Sequence, residues 1–308
     1  MIYTILRIFS VNGSKLAEIR EQQFSLESEI QRLTEANLHD LFELDLVKSE
    51  FELHGLRIDT LAFDNESKAF VIIEYKKDRN FSVVDQGMAY LNLMLNNKAD
   101  FILEYNERSN SSHSVKREEV DWSQTRVIFI SPEFTKYQQH AIGFKDLGIQ
   151  LWEVHKYSNG LLVFNEVKSP STKEPITAIA KNSAVARKVT AEIKVYTEDD
   201  VLKPVSDEVK EIYSELKSAT FNLGKDIEVR PKKYYIVFRR RQNFVAFTFL
   251  KSKKIKVWLN IGINQISDPL KKARDNSGSG SRHIDVWIQD RSEIPYALSL
   301  IKQAYERS

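Results

Sequence analysis

The chain has 308 residues, 42% of them hydrophobic and 29% charged, with a formal net charge of +2 and no cysteine. That length predicts two domains, each able to bury its own core, and the composition excludes disordered and fibrous classes. Without cysteine there are no disulfides, thiolate zinc sites or cysteine nucleophiles, and no apolar run nears the roughly 18 residues of a membrane span, so a cytoplasmic protein without membrane contact is expected.

The opening residues 1–8 alternate apolar and polar types without a basic leader or small-residue cleavage site, which predicts a first strand rather than an export signal. Ser25 stands where a helix cap would, ahead of Ile30, Leu33, Leu38 and Leu41 at near-helical spacing, predicting one helix over 26–43. Segments 51–53, 56–63 and 69–75 read as a strand and then a hairpin closed by the polar turn Asp64-Asn65-Glu66-Ser67-Lys68. A helix over 83–96, a strand over 99–105 and an exposed loop over 106–122 follow. Next come a buried strand at 126–131, a helix near 133–143, and strands 149–157 and 161–167 joined through Ser158-Asn159-Gly160. These elements predict an α/β domain over 1–167. Residues 168–204, rich in Lys, Ser, Thr and Pro, read as a linker.

Residues 205–308 predict a smaller α+β domain: a helix over 205–219, strands at 226–229, 233–240, 243–250, 254–261 and 282–289, and a closing helix over 294–305. A flexible Asn-Ser-Gly-Ser-Gly-Ser stretch precedes the last strand. Charge divides the chain, since residues 1–204 hold 25 Lys+Arg against 31 Asp+Glu, net −6, and residues 205–308 hold 20 against 12, net +8. A basic block attracts a polyanion, although excess lysine also serves solubility. Arg239-Arg240-Arg241 and Lys251 to Lys256, interleaved with Phe244, Phe247 and Phe249, read either as a phosphate-binding face with aromatic stacking or as strand core.

The chemistry concentrates in the hairpin. Folding it about Asn65 and Glu66 sets Asp59 opposite Glu74, because both lie at similar distances from the turn. Strand alternation sends Glu74 and Lys76 to one face and Tyr75 to the other. Two carboxylates and a lysine suit phosphodiester hydrolysis, in which Mg²⁺ takes a few carboxylate oxygens and keeps waters that reach a phosphate. Lys76 would offset developing charge, and a main-chain carbonyl near Tyr75 is a further candidate ligand. Gln86 and Tyr90 share a helix face four residues apart, and Glu29 on the first helix is a further candidate acid. An isolated E-x-K on a strand is ordinarily a solvated edge, but Val71-Ile72-Ile73 put this one in a core where a lone carboxylate is costly. Glu27 and Glu29 also fit the positive end of a helix dipole without any chemistry. The six histidines lack zinc-ligand spacing, and no glycine-rich phosphate loop is present.

Gly55-Leu56-Arg57-Ile58-Asp59-Thr60-Leu61 followed by Val71-Ile72-Ile73-Glu74-Tyr75-Lys76 resembles the motif strands of the PD-(D/E)XK nuclease superfamily, in particular its archaeal mismatch and flap endonuclease branch and RecB-like domains. The resemblance covers roughly residues 25–105. It implies a restriction-endonuclease-like mixed sheet flanked by helices, metal binding by Asp59 and Glu74, assistance by Lys76, a helix glutamate at Glu29 or Glu27, and substrate contact by Gln86 and Tyr90. It also implies Mg²⁺, with Mn²⁺ as a substitute, and nucleic acid as partner, DNA ahead of RNA. Residues 205–308 resemble a domain of unassigned function that accompanies such modules and is sometimes labelled a predicted transport protein, a label that nothing in this sequence supports; any homo-oligomer is expected to form through this domain. The expected activity is a metal-dependent nuclease of restriction, repair or phage defence. The alternative is a catalytically inactive nucleic-acid-binding or assembly protein that keeps the fold.

Overall fold

A computed structural model describes residues 7–78, 81–108, 114–143, 147–168, 183–250, 254–276 and 283–308. The chain divides into two compact units, Met1–Val195 and Tyr196–Ser308. The first unit is α/β with a mixed sheet flanked by helices, and the second is a smaller antiparallel sheet with helices. No helix among the described residues is long and apolar enough to cross a membrane.

The first unit opens with β1 (Ile8–Asn12) and β2 (Lys15–Ile19), a hairpin turning at Gly13 with φ +61°. Residues 1–6 of the expected first strand lie outside the described residues. Then come β3 (Glu21–Gln22), α1 (Glu27–Glu35) and α2 (Leu38–Phe42). The single helix expected over 26–43 is thus two. Asn37 separates them, its side-chain amide donating to the Leu33 carbonyl at 2.8 Å, a local competitor to helical bonding. Ser25 does not cap α1; the capping position is Leu26, and Ser25 instead donates its N–H and hydroxyl to Glu29.

β4 (Asp45–Leu53), β5 (Leu56–Asp64) and β6 (Ala69–Tyr75) form an antiparallel meander, followed by α3 (Val83–Asn96) and α4 (Lys98–Glu107). The strand expected over 99–105 is therefore helical. Its buried residues are Phe101 and Tyr105, one helical turn apart, while Leu103 between them is exposed, and a short apolar run does not by itself separate the two periods. Parts of the expected loop over 106–122 join the core through Val115 and Val120, and Trp122 stacks on Phe70. β7 (Arg126–Ser131), α5 (Lys136–Ala141), β8 (Ile149–Tyr157) and β9 (Leu162–Glu166) follow, β6, β7 and β8 being parallel neighbours. The sheet order is β3-β8-β7-β6-β5-β4, with β9 also on β8.

β6 is buried at all seven positions, as a central strand covered on both faces must be. Phe70 and Ile72 face a core shared with α3 and α4, whereas Val71, Ile73 and Tyr75 face one shared with α1 and α2. Gly87 lets α3 approach the sheet closely: a Cβ there would lie 2.3 Å from Ile149 Cδ1. Residues 169–182 of the expected linker lie outside the described residues. The remainder of that range is folded, with α6 (Ala184–Glu192) packing Ala186 and Val189 into the first core and α7 (Glu198–Leu202) packing Val201 into the second.

In the second unit α8 (Asp207–Phe221) precedes β10 (Glu228–Pro231), β11 (Tyr235–Arg239), β12 (Asn243–Phe249), β13 (Ile255–Leu259), β14 (Arg274–Asp275), β15 (Ile284–Ile288) and α9 (Ile294–Glu306). The sheet order is β10-β11-β12-β13-β15-β14, antiparallel throughout. Phe238, Phe244 and Phe247 sit in the core with α8 and α9, so Phe244 and Phe247 do not offer rings for stacking. Alternation on β12 puts Val245 and Phe247 on the core face, whereas Phe244 lies at the register shift against β11 and packs edge-on against Tyr305. Lys251 to Lys253, and the glycine-serine stretch from residue 277, lie outside the described residues.

At the edge of the first sheet, β3 is held to β8 partly by His155, whose Nδ1 lies 2.7 Å from Glu21 Oε1 and whose Nε2 lies 4.0 Å from Glu153. Glu153 and Glu21 together raise the imidazole pKa to about 9 against the opposing effect of burial; the Glu21 contact is the closed hydrogen bond of the two. A raised folded-state pKa stabilises fully below the unfolded value near 6.5, and that stability is lost as pH climbs through about 9. Comparison of urea denaturation of the wild type and His155→Gln across this window is expected to show a difference on the order of 1 kcal/mol near neutral pH that closes above pH 9. A pH-independent difference contradicts the assignment.

Candidate functional site

The β5–β6 register pairs Thr60 with Ile73 and Leu61 with Ile72, so the next position along sets Asp59 beside Glu74. The turn that fixes this count is closed by Asp64, whose Oδ1 accepts the N–H groups of Glu66 and Ser67 at 3.0 and 2.9 Å. Asp59 Oδ2 accepts the Tyr75 N–H at 3.1 Å, which ties the first carboxylate to the strand that carries the second.

Glu74 is 3% exposed, at the end of an otherwise apolar strand. Its Oε1 accepts from Lys76 Nζ at 2.6 Å and from Gln86 Nε2 at 2.8 Å, and its Oε2 accepts from the Tyr90 hydroxyl at 2.8 Å. Gln86 also donates to the Tyr90 oxygen at 3.2 Å, and that oxygen lies 3.1 Å from the Arg57 carbonyl of β5. The Tyr90 hydroxyl has one proton, and the shorter bond to the charged carboxylate is the stronger claim on it. Burial and the Glu74 charge push the Tyr90 phenol up. Burial, then the Glu74 charge, raise the Asp59 carboxyl to about 6, opposed by the Tyr75 N–H and Lys76. Two carboxylates thus sit close enough for one to resist ionisation beside the other.

Asp59, Glu74, Lys76, Gln86 and Tyr90 are therefore brought together, and Glu29 is not. Glu29 is held by Lys156 Nζ at 2.7 Å and by Ser25, and the Lys156 hydrogen bond keeps its carboxyl below the ordinary range. Glu27, two residues earlier, reaches the strand exit, where its Oε1 accepts the Lys77 N–H at 2.8 Å. Gln31 is not among the candidates the sequence offers, yet its Nε2 donates to the Asp59 carbonyl at 3.0 Å and lies 3.0 Å from Glu50 Oε1. Glu35 Oε1 accepts from Thr60, whose hydroxyl is also 3.1 Å from the Tyr75 hydroxyl. The available signal was spacing, because Glu27, Gln31 and Glu35 recur every four residues and line one face of α1.

The donors suited to a divalent ion are the paired Asp59 and Glu74 carboxylates. Among the described residues no group of three or more carboxylate or imidazole side chains forms a cation site. Mg²⁺ commonly uses one or two carboxylates and retains water, and a cation would offset the burial and the Glu74 charge that raise the Asp59 carboxyl. The residues present fit such an ion. Without it, Lys76 supplies the positive charge beside Glu74. In metal-free buffer Lys76→Met is expected to cost about 3 kcal/mol by leaving a buried carboxylate unpaired, and Tyr90→Phe about 1 kcal/mol, measured by urea denaturation. Unchanged midpoints for both would contradict the network.

Residues 197–308 match a family model described as a domain of unknown function, DUF5655. Two solved structures are similar over part of the chain. A repair endonuclease from Pyrococcus abyssi is 15% identical over 44% of this chain and 50% of that one, with a TM-score of 0.26. An EndoMS–dsDNA2 complex is 14% identical over 48% of this chain and 64% of that one, also with a TM-score of 0.26. An uncharacterized protein of Haemophilus influenzae is 41% identical over 302 residues, covering 97% of this chain and 99% of that protein. By this end-to-end match the chain belongs to the same family as the Haemophilus influenzae protein.

Proposed function

We propose that the first unit is a PD-(D/E)XK-type, metal-dependent nuclease that hydrolyses phosphodiester bonds, DNA being the preferred substrate, in the cytoplasm. The observation that carries this reading is the buried Glu74 carboxylate, with Lys76 two residues along the same strand and Asp59 beside it on the neighbouring one. Asp59 and Glu74 would hold Mg²⁺ or Mn²⁺, which supplies polarisation of the phosphoryl oxygen and a more acidic water.

Each side chain has a distinct task. Lys76 is anchored at Glu74 with its side chain 21% exposed, so it can turn toward a non-bridging phosphate oxygen or hold an attacking water. Gln86 and Tyr90 fix both oxygens of Glu74 from α3, and so orient the carboxylate before substrate arrives. Gln31 acts as a positioning residue behind Asp59, gripping its carbonyl.

A second reading has its own support. Both Glu74 oxygens are already engaged by Lys76, Gln86 and Tyr90, a closed arrangement that an inactive nucleic-acid-binding relative could retain for stability. Incubation of the purified full chain with Mg²⁺ or Mn²⁺ and single-stranded, duplex and flap DNA separates the two. The nuclease reading expects cleavage that Asp59→Ala or Glu74→Ala reduces by at least about a hundredfold, with DNA affinity largely kept. No cleavage by the unaltered protein on any substrate favours the binding module.

A further inference from the structure

The second unit has a sheet face that the nuclease reading does not use. Its core face packs against α8 and α9; the opposite face carries two unbroken rows of paired residues. One row runs Arg230, Val237, Ala246, Trp258, Asp285 and Arg274 across all six strands. The next runs Tyr235, Thr248, Lys256 and Trp287. Directly paired residues project to the same side, so aromatic rings and cations alternate on one surface. Trp258, Trp287 and Tyr235 are half-buried, and Arg274 is exposed.

The rings are organised. Trp258 lies nearly parallel to Tyr235, with an interplanar angle of 10° and centroids 6.4 Å apart, and stacks on His283 at 5.1 Å. Between Trp258 and Tyr235 the intervening strand presents only Ala246 and Thr248, which leaves a low floor between two aromatic walls. Lys256 Nζ stands 4.3 Å from the Trp258 ring centre and 5.6 Å from that of Trp287, and Arg274 stands 5.0 Å from Trp287.

We infer that this face binds single-stranded nucleic acid, with bases against Tyr235, Trp258 and Trp287 and phosphates at Lys256 and Arg274. Aromatic rings on an open sheet serve bases of any sequence, and neighbouring cations serve the backbone. A cationic ligand is disfavoured because Lys256 and Arg274 already occupy the indoles, and a duplex keeps its base faces stacked internally. Residues 205–308 carry the net +8 that draws a polyanion. A stabilising ladder alone accounts less well for the centre of the row. Asp285, 4% exposed, uses Oδ2 for Lys256 at 2.8 Å and Asn276 at 3.0 Å, whereas its Oδ1 and the Trp258 indole N–H have no hydrogen-bond partner among the described residues. Trp258 and Asp285 are direct partners on adjacent strands, so the row holds two buried polar atoms that its own hydrogen bonds leave unsatisfied.

The inference rests on the reading above only for the class of ligand, and its test needs no cleavage. Fluorescence anisotropy in EDTA would follow the full chain binding labelled oligothymidylate of roughly 16 nucleotides, the matching oligouridylate, an abasic strand of equal length and a duplex. The expected result is that one or both base-bearing strands bind at least about tenfold more tightly than the abasic strand and the duplex, the comparison of thymidylate with uridylate deciding between DNA and RNA. Trp258→Ala with Trp287→Ala should remove most of that preference, Trp258→Phe with Trp287→Phe should keep it, and Arg274→Glu should weaken all strands including the abasic one. Because the assay runs in EDTA and reads affinity alone, a failed nuclease assay leaves this result standing. Equal binding of abasic and base-bearing strands by the unaltered protein overturns the inference without any variant, as does a folded double-alanine protein that binds like wild type.

Discussion

The first unit is organised around one buried carboxylate. β6 is apolar along its length until Glu74, and a charge removed from water there costs several kcal/mol unless it is met by hydrogen bonds and an opposite charge. Three side chains meet it: Lys76 from the same strand, and Gln86 and Tyr90 from α3. Their reach requires α3 to lie tight against the sheet, which the absent side chain of Gly87 permits over Ile149. Gln86 braces the Tyr90 oxygen within α3, and the Tyr75 N–H extends the tie to Asp59 on β5. The hairpin and the helix are thereby locked to the position of a single acid.

That arrangement was readable from sequence where counting was sufficient. The polar turn at Asp64 to Lys68 fixes how residues on either side of it pair, so the meeting of Asp59 and Glu74 followed from their separation from the turn. Gln86 and Tyr90 were readable because four residues along a helix share a face. Tertiary choices were not readable. Phe101 and Tyr105 serve a helix as well as a strand until it is known which face is covered, and the side on which Phe244 and Phe247 fall depends on where α8 and α9 pack. Glu29 was one helical position among several acids; the choice turned on Lys156, which is distant in sequence and next to it in space. Gln31 carries no charge and follows no nuclease motif, so its hold on the Asp59 carbonyl emerges only once α1 is seated against β5.

The two units distribute charge and chemistry differently. The acidic first part sets two carboxylates side by side, where burial and the neighbouring charge raise the Asp59 carboxyl and Lys76 pairs with Glu74. The basic second part spreads lysine and arginine among tryptophans on a sheet face, where charge is softened by ring contact.

The central claim is that Asp59 and Glu74 together hold a divalent ion in reach of Lys76. Titration of the nucleic-acid-free protein with Mn²⁺, followed by electron paramagnetic resonance, tests it without reference to turnover. The account predicts saturable binding at a single site in the wild type and at least about tenfold weaker binding in both Asp59→Asn and Glu74→Gln, a loss of about 1.4 kcal/mol or more. Binding that is equally strong in both variants, or absent from the wild type, would contradict it.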